Sequence, residues 1–446
     1  MAILHIKSAN DNLSFVLQKN PASGMFVKSN KQGCLFGFFP KTNGEVVTNE
    51  YVVYFKDASD KITYKRHPDE QFEYLNASKY NDARFINDAI QEVLHAAREG
   101  KGDSKVYDTV TNHTIKISLV ETNFKTIDIF RRYFPTIAMN SEEISNDNYR
   151  MEFVTLEPTT LQYLLQVINL FSIFAQLNSP TYSYLTEDLV KKYVRIANEV
   201  DAPYFIKYLI KIRMCRAEGI FESVKADLET SNRYAIQMQH GDTHDNRIQW
   251  IKNILAEPEV KGSRPTWTLD RSIVDIGTGI DYRYLKILAP KLKDTGLTYH
   301  AIEIDHDARE RIKAGLVNRG LEDVVDIYES LDEFIKYHNE YLNKETFDVL
   351  CTEVLEHNEF DVAKSIIKQV TKNINYNRFI VTVPNAAFNK FYGLDGFRHD
   401  DHKWEANDGD IAKLVGNLNH EISPVGDIVD NIPVTIGIVI TQKVYS

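Results

Sequence analysis

The stretch TEVLEH, residues 352–357, carries three side chains whose types and spacing could do chemistry. It follows the apolar run FDVLC, and its polar members are Glu353, Glu356 and His357. The pattern predicts that Glu353 closes a buried strand and that Glu356 and His357 open the next helix. Two carboxylates and one imidazole suit a divalent cation such as Mn²⁺ or Mg²⁺ better than a thiolate-rich zinc centre.

A cation site of this kind usually needs a further ligand, and the segment FRHDDHKWE, residues 397–405, offers His399 and His402. This segment follows a predicted strand, as TEVLEH does, so both lie at the carboxyl side of a predicted parallel sheet. The alternative is that TEVLEH only supplies polar lining, since charged residues after a strand are commonly solvated. Both interpretations remain open from these residues alone.

A second motif lies upstream, where the run RSIVDIGTGID places Asp275, Gly277, Thr278 and Gly279 at the end of a predicted strand. Glycines two apart let a ligand approach the backbone where a side chain would clash. Glu303, in AIEID, lies 24 residues beyond Gly279, the spacing of one strand-helix-strand step. An acid at that position could accept hydrogen bonds from ribose hydroxyls.

A dinucleotide site would have a third glycine in GxGxxG, but Tyr282 stands at that position. The pattern DxGxG with an acidic second strand end resembles the class I S-adenosylmethionine-dependent methyltransferases. The resemblance implies S-adenosyl-L-methionine as cofactor, with Ser330 and Leu331 of YESLDEF on the adenine side. The implied cofactor-binding residues are Asp275, Gly277, Thr278, Gly279, Glu303, Ser330 and Leu331. A glycine turn in an unrelated α/β domain is the alternative.

The predicted secondary structure that must position these residues changes its pattern near residue 247. From there strands alternate with helices, through RSIVDIG, LTYHAIEID, DVVDIY, FDVLCTE and RFIVTVP. This alternation predicts an α/β, Rossmann-like parallel sheet with helices on both faces, and the tail PVTIGIVITQ predicts an antiparallel edge. The first half instead has short β-rich runs (GCLFGFFPK, EVVTNEYVVYFKD, ITYKRH) followed by helices. We therefore expect an α+β domain over residues 1–238 and the α/β domain over 239–446, joined near GDTHD.

Composition limits the possible functions. The 446 residues carry a net charge of −11, which argues against a broad nucleic-acid-binding surface and for a small site. Three dispersed cysteines suggest neither a disulfide framework nor a CxxC metal site. The apolar run 161–177 has a stripe of polar residues and is short for a membrane span, which favours a core helix. With no signal-peptide pattern, a soluble cytoplasmic protein without membrane contact is expected.

Taken together, TEVLEH, VPNAAFN and FRHDDHKWE resemble the catalytic domain of the Hen family of RNA 3′-terminal ribose 2′-O-methyltransferases. The resemblance implies four metal ligands, with Mn²⁺ favoured and Mg²⁺ possible: Glu353, Glu356, His357 and His402. Two residues depart from the family pattern, since Trp404 replaces a phenylalanine and Ala406 replaces a tryptophan. These departures concern the pocket for the terminal nucleotide.

The resemblance continues upstream through NLSFVLQKNP, GFFPK, SKYNDARFINDAI and YRMEFVTLEPTTLQYLLQVINLF, which are similar to the bacterial branch of the family. Members of that branch pair with an RNA repair enzyme that has kinase, phosphatase and ligase parts. The resemblance implies that residues 1–238 contact and activate the ligase part. The composition of this half indicates only a globular domain without a catalytic constellation.

The expected reaction is methyl transfer from S-adenosylmethionine to the 2′-hydroxyl of an RNA 3′ end with free 2′ and 3′ hydroxyls. His402 would act as a ligand at the reacting centre, and His399 could accept the 2′ proton or touch a phosphate. Arg398 and Lys390 are candidate RNA contacts. Two alternatives are a metal-independent methyltransferase with another substrate and a non-catalytic scaffold that activates a repair ligase. Chelator resistance would favour the first, and failure to bind S-adenosylmethionine the second.

Overall fold

The polypeptide divides into two compact units, Met1–Met214 and Cys215–Ser446. The computed structural model describes residues 2–29, 33–57, 81–178, 185–255, 269–338, 345–407 and 409–442. The predicted run ITYKRH lies outside these ranges. The domain boundary predicted after residue 238 lies further along the chain than the division at Met214, and it stays a prediction.

The first unit combines an antiparallel sheet with helices, as an α+β domain should. Its strands are β1 (Ala2–Ser8), β2 (Met25–Ser29), β3 (Gly33–Phe38), β4 (Lys41–Thr42), β5 (Glu45–Val46), β6 (Glu50–Asp57), β7 (His113–Glu121), β8 (Ile137–Ser145) and β9 (Asn148–Thr155). Within the described ranges the main sheet has the order β2-β3-β6-β1-β7-β9-β8, and every pairing is antiparallel. The strands β4 and β5 form a separate hairpin.

The helices of this unit are α1 (Leu13–Leu17), α2 (Arg84–Asp88), α3 (His95–Glu99), α4 (Asp103–Tyr107), α5 (Phe124–Tyr133), α6 (Leu161–Gln176), α7 (Glu187–Glu199) and α8 (Tyr204–Met214). A π-helical segment, Ala89–Val93, lies between α2 and α3. The prediction of a core helix at α6 is confirmed, because its side chains are buried almost without exception. Four of its polar residues, Gln166, Asn169, Ser172 and Gln176, are buried too, and Gln166 donates from Nε2 to Glu199 Oε2 at 2.7 Å. No helix in the described ranges is long and apolar enough to cross a membrane.

The second unit alternates strands and helices. Its strands are β10 (Ile236–Gln237), β11 (Ile273–Ile276), β12 (Tyr299–Ile302), β13 (Val325–Tyr328), β14 (Phe347–Thr352), β15 (Tyr376–Pro384), β16 (Asn419–Val429) and β17 (Ile432–Thr441). Its helices are α9 (Glu218–Glu229), α10 (Thr243–Leu255), α11 (Arg283–Leu292), α12 (His306–Val317), α13 (Leu331–His338), α14 (Phe360–Asn373) and α15 (Asp410–Val415). Two short 3₁₀ segments, Leu355–His357 and Ala386–Tyr392, follow β14 and β15.

The sheet of the second unit explains why its strands are apolar on both sides. In the described part of the unit its order is β10-β16-β17-β15-β14-β11-β12-β13. The neighbours from β15 through β13 are parallel, while β17 runs antiparallel to β15. All residues of β11 and β14 are buried, because hydrophobic clusters cover both faces of these central strands.

The predicted fold class is thereby confirmed: an α+β unit precedes an α/β unit with a Rossmann-like, largely parallel sheet. The predicted antiparallel edge is also found, and β17 forms it together with β16 and β10. The carboxyl ends of β11, β12 and β14 meet at one edge of the sheet. At this edge the chemistry-bearing residues of the sequence lie close together.

Candidate active site

The glycine loop after β11 is shaped by two residues with positive φ. Gly277 has φ +72° and Gly279 has φ +76°, values that side chains rarely adopt. A Cβ atom on Gly277 would lie 2.4 Å from Cγ2 of Val354, in the turn that follows β14. At Gly279 a Cβ atom would meet open space, with the nearest heavy atom 3.9 Å away. Gly277 therefore allows the two loops to touch, and Gly279 leaves the loop surface open.

Glu303 fixes this loop from the end of β12. Its Oε2 accepts a hydrogen bond from the backbone N–H of Gly279 at 2.7 Å, and its Oε1 accepts from that of Asp305 at 2.9 Å. Glu303 is 7% exposed, so these bonds hold an almost fully buried residue in place. A carboxylate has about four acceptor sites, which leaves capacity for a ligand hydroxyl.

Asp275 lies beneath the loop and is almost fully buried. Its Oδ2 accepts from the Tyr299 hydroxyl at 2.7 Å, and the Thr278 hydroxyl donates to its backbone carbonyl at 3.2 Å. Its Oδ1 has no hydrogen-bond partner among the described residues. Burial raises the pKa of Asp275 to about 6. This acid supports the loop from inside the unit.

The predicted adenine-side residues lie at the start of α13. The Ser330 hydroxyl accepts from the backbone N–H of Glu333 at 3.1 Å and so caps the helix, while Leu331 is at the margin of the core. Sequence reasoning missed Ile304, an apolar side chain that is 82% exposed directly after Glu303. The sequence could have indicated Ile304, because it is an apolar residue between the two acids of the AIEID motif, at a strand end where ligands bind.

Three of the four predicted metal ligands come together at the same edge. One ligand atom each from Glu356, His357 and His402 lies within 4.8 Å of the others. Glu356 is fully buried, and neither of its carboxylate oxygens has a hydrogen-bond partner among the described residues. Burial, and then the neighbouring carboxylate of Glu353, raise the pKa of Glu356 well above its usual range. A buried carboxylate without partners is costly unless a proton or a cation compensates it.

The turn that carries Glu356 is not the start of a helix, so that expectation was wrong. Glu356 and His357 lie in the 3₁₀ segment, and α14 begins only at Phe360. Contacts from the later segment hold this turn: the Trp404 indole donates to the Leu355 carbonyl at 3.0 Å. The backbone N–H of Lys403 donates to the Glu356 carbonyl at 2.7 Å. These bonds bring His402 to Glu356.

Acidic side chains orient the two imidazoles. His402 Nδ1 is 2.7 Å from Oε1 of Glu405, which is buried, and His357 Nδ1 is 3.1 Å from Oδ2 of Asp401. In each ring the other nitrogen, Nε2, is thereby left for a ligand, an arrangement common at metal-binding histidines. The partners Glu405 and Asp401 were missed as orienting residues, although both lie within the FRHDDHKWE segment.

The fourth predicted ligand, Glu353, lies outside this trio. It follows β14 with φ +53°, and its Oε2 pairs with Nη1 of Arg247, from α10, at 3.1 Å. Its Oε1 accepts from the Thr382 hydroxyl at 3.1 Å. Its role as a ligand stays a prediction. Nothing in the local sequence indicated Arg247, which is 106 residues upstream of Glu353.

Of the remaining predicted residues, all within the described ranges, only His399 is in contact with a member of the trio. His399 is exposed, and its ring centroid is 5.1 Å from that of His402. The Arg398 guanidinium donates to Asn389 Oδ1 and to the carbonyls of Asn385 and Val434 at 2.7–2.8 Å, so the protein itself engages it. Lys390 is exposed with its Nζ 4.8 Å from the Phe391 ring centroid. Their RNA contacts remain predictions.

The two departures from the family pattern lie in the interior. Trp404 packs edge-on against Phe360 with ring centroids 5.0 Å apart. Ala406 is fully buried, and its backbone bonds with Ala386 and Pro384 at 2.9 and 3.0 Å. Both residues thus secure the segment after β15 to the sheet.

Comparisons with known proteins identify the family and the fold of this chain. The family described as "Hen1 N-terminal domain" matches residues 3–233, more than half of the chain. A chain of the Pnkp1/Rnl/Hen1 RNA repair complex superposes with a TM-score of 0.74 at 22% identity, covering 99% of this chain and 100% of that chain. A second structure of a Pnkp1/Rnl/Hen1 complex gives 0.70 at 22% identity with the same coverage. A search of curated proteins found no match. Because the family model matches more than half of the chain, the protein belongs to the Hen1 family.

Proposed function

We propose that this protein transfers a methyl group from S-adenosylmethionine to the 2′-hydroxyl of the 3′-terminal ribose of RNA, with the help of a divalent cation. The observation that carries the proposal is the buried, unpartnered carboxylate of Glu356 beside His357 and His402. Membership of the Hen1 family supports a methyltransferase that acts in RNA repair.

The donor set fits a hard or borderline divalent ion, because it combines carboxylate oxygen with two imidazole nitrogens. Glu356, His357 and His402 would hold the ion, with Glu353 as a fourth ligand once it leaves Arg247. When bound, the ion supplies a Lewis acid that lowers the pKa of a ribose hydroxyl. The carboxylate of Glu405, 2.7 Å from His402 Nδ1, keeps the ring in the orientation that leaves Nε2 for the ion.

S-adenosylmethionine, when bound, supplies the methyl group on a sulfonium. The residues proposed to bind it are those that line the open glycine loop and the neighbouring strand ends. Gly279 leaves room for the ligand, Glu303 accepts from its ribose hydroxyls, and Ile304 offers an exposed apolar face. The loops that carry the two sites touch where Gly277 meets Val354, so methyl donor and acceptor would be close together.

His399 is proposed to take the 2′-hydroxyl proton on a ring nitrogen or to contact a phosphate of the RNA. It is exposed beside His402, at the open rim of the trio. An RNA end with both the 2′ and 3′ hydroxyls free is the expected substrate, because only such an end presents two vicinal oxygen donors. Arg398 and Lys390 are proposed as secondary RNA contacts.

The test is methyl transfer to an RNA with a 2′,3′-diol end, measured for the wild type and for Glu356→Gln. We expect activity to fall by at least about a hundredfold, because the buried ligand charge is removed at constant size. EDTA should abolish wild-type activity and Mn²⁺ should restore it, and ends with a 3′-deoxy or 3′-phosphate group should react poorly.

Glu359→Gln is the matched control, since Glu359 is exposed three residues away and makes no capping hydrogen bond. Full activity of Glu356→Gln, or indifference to EDTA, would eliminate the metal-dependent reaction and favour another methyltransferase activity.

A partner is part of the proposal. The similar chain named above belongs to a complex of Pnkp1, Rnl and Hen1. We propose that this protein also works with a kinase-phosphatase-ligase repair enzyme, which residues 1–238 contact and activate.

A further inference from the structure

A second cluster of metal-ligating side chains lies away from the candidate active site, at the outer edge of the same sheet. It consists of His300 on β12, Asp326 on β13 and His338 at the end of α13. One ligand atom from each lies within 4.8 Å of the others. The cluster shares no residue with the glycine loop or with the Glu356 trio.

His300 is the inner member of the cluster. It is 3% exposed, and its Nδ1 has no hydrogen-bond partner among the described residues. Its ring lies among aromatic side chains, with centroids 5.2 Å from Phe334 and 5.8 Å from Phe347. A buried nitrogen without a hydrogen-bond partner is unusual in a folded protein, and a bound ion is one explanation for it.

The two outer members face this nitrogen. Oδ2 of Asp326 is 3.5 Å from His300 Nδ1, and the ring centroid of His338 is 4.8 Å from that of His300. The Tyr328 hydroxyl lies 2.7 Å from His338 Nε2 and 3.5 Å from Asp326 Oδ2, so it holds both outer side chains near each other. The arrangement is thus largely assembled without an ion.

We propose that His300, Asp326 and His338 form a second metal site, which takes Zn²⁺ or a similar borderline divalent transition ion. Two imidazoles and one carboxylate are a common donor set for Zn²⁺, with the fourth position left to water or a hydroxyl. The set is richer in nitrogen than the active-site group proposed with Glu353, which disfavours Mg²⁺ here. The bound ion would tie the end of α13 to β12 and β13, and so stabilise the helix whose first turn carries Leu331.

The experiment uses the full chain without a histidine tag, in a His357→Ala/His402→Ala background that lacks both imidazoles of the candidate active site. Zn²⁺ binding is measured by competition with a chromogenic chelator, and Co²⁺ is added as a spectroscopic probe of coordination. We expect this background to bind one equivalent of Zn²⁺, with a tetrahedral Co²⁺ absorption band. Zn²⁺ should also raise its melting temperature, because binding to the folded state stabilises it.

Adding His338→Ala or Asp326→Ala to the background should weaken Zn²⁺ binding by at least about tenfold. Both side chains are at least partly exposed, so these truncations avoid the folding defect expected of changing buried His300. His306→Ala is the control, because His306 lies on α12 of the same unit and its side chain is 75% exposed. The proposal is overturned if the background binds no equivalent of Zn²⁺. It is equally overturned if the two truncations bind Zn²⁺ as tightly as the background does, which would leave a hydrogen-bonded network without a metal. Neither result depends on methyl transfer.

Discussion

At the scale of single residues, the proposed chemistry depends on what balances the negative charge of the Glu356 carboxylate. Its carboxylate is fully buried beside the charge of Glu353, and no described residue donates a hydrogen bond to it. In the absence of a cation, such a carboxyl group takes up a proton instead of remaining charged. On the proposed mechanism, the adjacent His357 and His402 would supply the two further ligands for a cation.

Glu405 should matter without touching the ion. Glu405→Gln keeps the size of the side chain but removes the charge that holds His402 Nδ1 at 2.7 Å. We expect Mn²⁺ affinity to fall about 10–100-fold, as is typical when the partner of a metal-binding histidine is changed. The measurement is a Mn²⁺ titration of methyl transfer, in which the concentration for half-maximal activity should rise. Glu421→Gln, at an exposed position on β16, serves as control, and an unchanged Mn²⁺ requirement in Glu405→Gln would contradict the orienting role.

The residues that sequence reasoning found and missed differ in a physical respect. Glu356 and His357 could be predicted as candidate ligands because ligand chemistry depends on residue type and on strand ends, both visible in the sequence, whereas the choice of His402 over His399 rested on the family resemblance. Arg247 could not, since its pairing with Glu353 depends on how α10 packs beside the sheet. Such long-range partners follow from tertiary packing and leave no local pattern.

At the scale of elements, the glycine loop and the turn after β14 act together because they are in contact. The alternation of apolar strands with helices predicted the parallel sheet, because strands covered on both faces must be apolar throughout. The 3₁₀ turn at Leu355–His357 was not predictable in this way. It is held by Trp404 and Lys403 from a segment some fifty residues later, and local periodicity does not encode those bonds.

Gly277→Ala should disrupt the contact between the glycine loop and the turn after β14. The new Cβ atom would lie 2.4 Å from Val354 Cγ2, and the residue would also have to keep φ at +72°. Gly296→Ala is a matched control, because Gly296 has φ +76° but nothing within 4 Å of the new Cβ atom. We expect both to lose about 1 kcal/mol of stability from the backbone. Only Gly277→Ala should also lose S-adenosylmethionine binding, measured by calorimetry. Equal binding by the two variants would contradict the contact between the loops.

At the scale of the whole molecule, the net charge of −11 would limit how the proposed RNA substrate binds. A protein this acidic has no general electrostatic attraction for a polyanion, so recognition has to be local. A cation at the Glu356 trio would supply positive charge at one point, which suits the end of a strand better than a duplex. This agrees with a site built at one edge of one sheet.

The N-terminal half should carry the partner contact. We expect a fragment of residues 1–238 to co-elute with the ligase part of a kinase-phosphatase-ligase enzyme and to stimulate its ligation. The measurements are size-exclusion chromatography of the mixture and a ligation assay. Residues 239–446 alone provide the comparison and should do neither. If the fragment 1–238 neither binds the ligase part nor stimulates its ligation, the proposed role of these residues is contradicted.

The most direct test of the central claim is anomalous diffraction from crystals of the full chain grown with Mn²⁺ and S-adenosylhomocysteine. The account predicts one anomalous peak within bonding distance of the Glu356 carboxylate and of the His357 and His402 imidazoles. A saturating Mn²⁺ concentration that leaves this position without a peak, and Glu356 without any cation beside it, would contradict the account.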